Sequence, residues 1–163
     1  HLLNWYLASD MPGRAYRLLR DTPMPEIAPV FYAEALLEFV RNGPGKKARR
    51  KLLDATTAYP LVAAFLFRAD ELVNVVEMTA YPSHAYKPGT IEDVMVWHNL
   101  LYGAWLSVEG ALDWAARCGR ERQFADVIEA APWSANEEFE RLGLGGDDDE
   151  PLGPAPGSSL RMI

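Results

Sequence analysis

Apolar residues return at helical spacing through most of the chain, and breaks rich in proline and glycine separate the runs. The best-defined stretch is Val30 to Pro60. There the pattern predicts two antiparallel helices, about Glu26 to Arg41 and Lys46 to Ala58, joined by Asn42-Gly43-Pro44-Gly45 and closed by Tyr59-Pro60. Pro29 falls in the first turn of the former, where its missing N–H is tolerated. Upstream, Leu2 to Ala8 and Pro12 to Arg20 read as a shorter pair, with Ala15, Leu18 and Leu19 on one face of the second. Leu61 to Phe67 is an apolar helix. A further segment runs to about Glu77, followed by a loop over Thr79 to Gly89.

Thr90-Ile91-Glu92-Asp93 has the form of a capping box and opens a helix to about Leu106, with Val94, Trp97, Leu101, Tyr102 and Trp105 as its apolar spine. Ser107 is expected to cap the next helix, Val108 to Arg117, which Cys118-Gly119 ends. Arg120 to Ala131 and a short helix from about Ser134 to Leu142 complete the pattern. After Gly143 the periodicity stops, and an acidic Gly/Pro-rich stretch cannot bury enough apolar surface to order by itself. Residues 1–142 are therefore expected as a helical domain and 143–163 as a flexible tail.

A shift of 33 residues carries Tyr6 onto Phe39, Asp10 onto Gly43, Ala15 onto Ala48 and Leu19 onto Leu52. A period of about 34 is the mark of tetratricopeptide units. Pro29 to Val62 supplies one nearly complete unit: Tyr32 and Phe39 in the first helix, Gly43 at the turn, Ala48, Leu52 and Ala55 in the second, and Pro60 to close. It departs at Leu36, where a glycine or alanine is usual, and at Ala35, where a leucine is. Small residues at Ala48 and Ala55 permit close helix approach, and the large ones fill the gaps. The second half repeats loosely, with Tyr102 and Ala111 keeping the spacing of Phe39 and Ala48. The expected fold is all-α: tetratricopeptide-like antiparallel helix pairs stacked as a short right-handed solenoid.

The residues also carry a family resemblance. Tyr59-Pro60-Leu61-Val62 with Phe65-Leu66 resembles an N-P-x-V-x-x-Y-L-L step, Gly89-Thr90-Ile91-Glu92-Asp93-Val94 a G-D-x-x-E-A helix start, and Trp105 with Gly110-Ala111-Leu112-Asp113-Trp114 a W-x4-G-A-L-x-W-L step. In this order they are similar to the C-terminal helical region of suppressor-of-tumorigenicity-7-type proteins and to related regions associated with MYND and SEC-C motifs. The resemblance spans about Leu2 to Ala116. It implies a repeat scaffold with protein contacts and no catalytic residues.

Charge narrows the partners. The 163 residues carry a net charge of −7 and a pI near 5.0, the wrong sign for a general nucleic-acid binder or a binder of anionic membranes. No apolar run reaches the ~20 residues of a membrane span. Cys118 is the single cysteine, so the chain has neither an internal disulfide nor a Cys-rich zinc site, and an intracellular, cytoplasmic setting is expected. His1-Leu2-Leu3 already reads as helix, without an initiator Met or leader, so the chain is expected to be a piece of a longer protein.

Candidate chemistry is sparse. His84 and His98, even with Glu92 or Asp93, make a poor metal set, and no metal or cofactor is expected. Asp147-Asp148-Asp149-Glu150 lacks the spacing of a calcium loop. Cys118 has arginine neighbours but no His or Asn partner for nucleophilic work, and is expected as a buried or half-buried residue. The five tryptophans are expected in the core. Two surfaces remain. The repeat register places Asn4, Leu7, Val30, Ala33, Leu37 and Arg41 along a groove suited to an apolar helix or an extended peptide. A basic patch, Lys46, Lys47, Arg49, Arg50 and Lys51, opens the second helix of that unit and suits an acidic peptide or this chain's own acidic tail. The expected function is a non-enzymatic scaffold for an unidentified protein or peptide, within a larger assembly. The competing expectation is a regulatory or substrate-positioning lobe of a multidomain enzyme of the MYND/SET methyltransferase type.

Overall fold

The computed structural model describes residues 2–68 and 89–131. The segment to Glu77, most of the loop that follows it, Trp133, the helix expected near Leu142 and the acidic tail lie outside the described residues. Every element among those described is helical. In chain order they are α1 (Leu2–Ala8), α2 (Pro12–Asp21), α3 (Ala28–Asn42), α4 (Lys46–Ala58), α5 (Pro60–Phe67), α6, α7 (Ala111–Gly119) and α8 (Arg122–Glu129). Helix α6 is one rod in three parts: Ile91–Trp97, a π-helical stretch His98–Tyr102, and Gly103–Ser107. Trp97, Tyr102 and Gly103 at the joints keep right-handed helical torsions.

The α3–α4 hairpin follows from its punctuation. Ile27 is extended ahead of α3 and Pro29 sits in the first turn. At the other end Gly43 takes φ 74°, a conformation that costs glycine little, and its N–H closes on the Phe39 carbonyl at 2.8 Å. Ala48, Leu52 and Ala55 of α4 are buried, and α4 packs on α3. Tyr32 is fully buried, and its Oη donates to the Tyr59 carbonyl at 2.9 Å. Tyr59 Oη in turn donates to the Glu26 carbonyl at 2.6 Å. The break between α4 and α5 is thus tied to both ends of the loop-to-α3 junction.

Helix α5 is apolar all round, with Leu61 through Leu66 buried in succession. It can be so because α4, α6, α7 and α8 all pack on it. Helix α6 lies against α1, α3 and α5. Trp97 meets Tyr32 edge-on at 6.2 Å, and Trp105 stacks on Trp114 of α7 at 6.3 Å. Trp114 also stacks on Phe39 at 4.7 Å, so three of the five tryptophans join the core. Trp5 does not: it is 52% exposed on α1, because Leu3, Leu7 and Asn4 occupy the faces that α2 and α6 cover.

Three helix starts differ from the sequence pattern, the first being α3, which begins at Ala28, two residues after Glu26, because Ile27 is extended. Ser107 does not cap α7. Its hydroxyl donates back to the Gly103 carbonyl at 2.7 Å at the end of α6, while α7 begins at Ala111 after Gly110 turns with φ 74°. Helix α8 starts at Arg122, two residues late, because Glu121 is extended and stands at its cap position. At the start of α6 the Asp93 carboxylate accepts the Gly89 N–H at 2.6 Å, one residue before the Thr90 of the expected capping box. The π-helical stretch has no signature in the apolar spacing.

Candidate functional site

The six residues assigned to a groove separate into different environments. Asn4 faces α6: a Cβ placed on Gly103 would lie 3.8 Å from both polar atoms of its amide. Leu7 and Ala33 are buried and Val30 is half-buried. Leu37 and Arg41 lie instead along a cleft between α2 and α3. Helix α6 of the same chain packs on both α1 and α3, the helices that carry these six residues.

The α2–α3 cleft has a volume of about 220 Å³. Its floor is Leu19 from α2 and the buried Leu37 from α3, and its rim is charged: Arg20, Glu34, Glu38, Arg41 and Lys51. The Tyr16 ring forms one wall. Arg41 Cζ lies 4.2 Å over that ring and Arg20 Cζ 5.8 Å from it, within the range of cation–π attraction. Lys51 Nζ binds Glu34 Oε2 at 2.7 Å, and Asn42 Nδ2 donates to Glu38 Oε1 at 2.7 Å. Arg20 is engaged by Asp21, at 2.6 and 3.0 Å, and this hydrogen bond holds the Asp21 carboxyl below its usual range. Arg41 has no carboxylate partner among the described residues.

A second, open cleft of about 490 Å³ flanks the other side of α2, lined by Tyr6, Arg14, Arg17, Leu18, Asp21 and Thr22. Helix α2 thus stands between two depressions with arginines toward both.

The basic patch at the start of α4 is divided. Arg49 is drawn inward to an ion pair with Glu121, which fastens α4 to the start of α8, and Lys51 bridges to α3 through Glu34. Lys46, Lys47 and Arg50 are exposed, with no ion pair among the described residues. Both pairs are partly exposed and each contributes modestly to stability. Sequence spacing alone contains neither, because Glu121 lies 72 residues from Arg49 and only the fold brings them together. The Arg41–Tyr16 contact was missed for the same reason.

The residues considered for catalysis or metal binding have structural settings. Cys118 is buried against α5, and burial, with a smaller effect from Glu121, pushes its thiol up to about 11. At neutral pH it is a thiol, not the thiolate a nucleophile needs. His98 stacks on Tyr102 with ring centroids 4.8 Å apart, and His84 lies outside the described residues. Among the described residues no three of His, Cys, Asp and Glu converge as a metal site, and no helix is long and apolar enough to cross a membrane. No family model matches the chain, and no curated protein or solved structure matches it either.

Proposed function

We propose that this chain is a non-enzymatic protein–protein interaction module, built of tetratricopeptide-like helix pairs in a short right-handed solenoid, that binds a peptide or helix of a partner protein. The observation that carries the reading is the seating of α6. It packs on α1, α3 and α5, the alternate helices of the pairs, as a guest helix would lie on a repeat surface. The 33-residue register between Tyr6–Leu19 and Phe39–Leu52 agrees with it, as does the resemblance to suppressor-of-tumorigenicity-7-type helical regions. With that face occupied from within, a partner meets the outer surfaces, above all those flanking α2 and the start of α4. Selection of short displayed peptides against the full-length chain tests the proposal. Convergence on one motif, with saturable binding by the isolated peptide, is the expected result. Absence of enrichment over an unrelated helical protein would overturn it.

A further inference from the structure

We infer that the α2–α3 cleft is a docking site for an acidic peptide segment carrying one bulky apolar side chain. The inference rests on the interaction-module reading and gives it a place and a partner chemistry. The cleft volume of about 220 Å³ falls below the roughly 300–1,000 Å³ typical of small-molecule pockets. Its floor of Leu19 and Leu37 suits an apolar side chain, and the Tyr16 wall extends the apolar contact.

The rim selects the charge of what enters. Of its two carboxylates, Glu34 is neutralised by Lys51, while Glu38 keeps its charge and accepts a hydrogen bond from the neutral amide of Asn42. Arg41 lies over the Tyr16 ring, and a guanidinium held against a ring face keeps in-plane donors for a carboxylate. Along α4, Lys47 lies one turn before Lys51 and so extends the same stripe away from the cleft. Lys46 and Arg50 adjoin it, and all three are exposed. This charge works against the helix it sits on: α4 opens with five cations in its first six residues and no acid in its first turn, the unfavourable sense for the helix dipole. Helix stability therefore does not account for it.

The wider charge distribution agrees. Nine of the sixteen Lys and Arg residues fall between residues 14 and 51, and the first sixty residues are net +3 while the remainder are net −10. Screening over about 8 Å at physiological salt lets the local cations govern what approaches the cleft. The apolar floor favours a peptide over a nucleic acid, whose phosphates would leave Leu19 and Leu37 unused.

The test is fluorescence anisotropy of the full-length chain with a labelled peptide of Asp and Glu around a central Leu-Phe pair. Binding is expected to weaken about tenfold or more when Ser-Ser replaces Leu-Phe, and similarly in R41E or Y16A, the scale of one lost charge-assisted hydrogen bond or apolar anchor. The exposed E129Q, at the opposite end of α8 from the Arg49–Glu121 pair, should bind as the parent does. Arg41 and Tyr16 are exposed side chains, and thermal unfolding verifies that each variant is folded; R41Q replaces R41E if the reversal unfolds the chain. Lack of saturable binding, indifference to both Arg41 variants, or stronger binding of an oligothymidylate of equal length would overturn the site. Library-selected peptides that bind R41E and R41Q undiminished would overturn it while leaving the module reading intact. Failure to select any peptide would remove both.

Discussion

Helices α5 and α2 begin alike, each with a proline in its first turn, and are of similar length at eight and ten residues. They are held in opposite ways. Six consecutive side chains of α5 are buried, among four neighbouring helices. Helix α2 buries Ala15 alone, packs on α1 and α3, and turns Arg14, Arg17 and Arg20 outward. An apolar helix without a polar face has to be enclosed, so α5 marks the centre of the molecule. A helix with a single buried residue is held along a narrow seam, and the remainder of its circumference is surface. The contrast places both clefts away from the best-packed part of the fold. The clefts on both flanks of α2 form where packing is thinnest.

The largest effect that would break this comparison comes from opening the centre. Phe65→Ala removes a ring that is 2% exposed, and a substitution of this kind costs about 3–5 kcal/mol. Urea unfolding followed by far-ultraviolet circular dichroism reads it as a fall in midpoint. A loss below about 1 kcal/mol would mean that α5 is not enclosed as described. The next effect tests the opposite fault, overfilling. A Cβ on Gly119 would come within 2.6 Å of the Phe67 ring, so Gly119→Ala should cost about 1–3 kcal/mol, as overpacked sites do. Adding Phe67→Ala should recover part of that loss, because it removes the ring carbons nearest the added Cβ and leaves only the Phe67 Cβ, 2.8 Å away. If Gly119→Ala costs the same in both backgrounds, the close approach of α7 to α5 is not its cause.

The same contrast explains how much could be read from the sequence. The α3–α4 hairpin was legible because its signals are local: Gly43 at the turn, Ala48 and Ala55 at the contact, Tyr59-Pro60 at the stop. The boundaries of α1, α4 and α5 followed from similar punctuation. The expectation of an all-helical chain holds throughout the described residues. The assigned groove was less legible. Register places Asn4 and Ala33 on helix faces, but it cannot tell whether α6, some sixty to a hundred residues further on, lies against them. The basic patch was legible as charge and not as surface, since Glu121 and Glu34 engage two of its five cations. Ser107 misled because a hydroxyl suits a helix cap and equally a bond to the carbonyl four residues back, and only the glycine turn at Gly110 decides between them.

The smallest effect sharpens the comparison from the side of α2. Arg17 is exposed and borders the open cleft with Tyr6 and Thr22. Its only electrostatic role among the described residues is a minor one toward Asp21, whose carboxylate is held chiefly by the hydrogen bond from Arg20. Removing Arg17 leaves that bond in place and opens no cavity. Arg17→Ala should therefore shift stability by no more than about 0.5 kcal/mol, the range of surface substitutions, in the same urea titration used for Phe65→Ala. A loss above about 1 kcal/mol would show that α2 is fastened through its outer face as well as through Ala15. The surface assigned to recognition would then be part of what holds the fold together, and the division between an enclosed α5 and a free-faced α2 would fail.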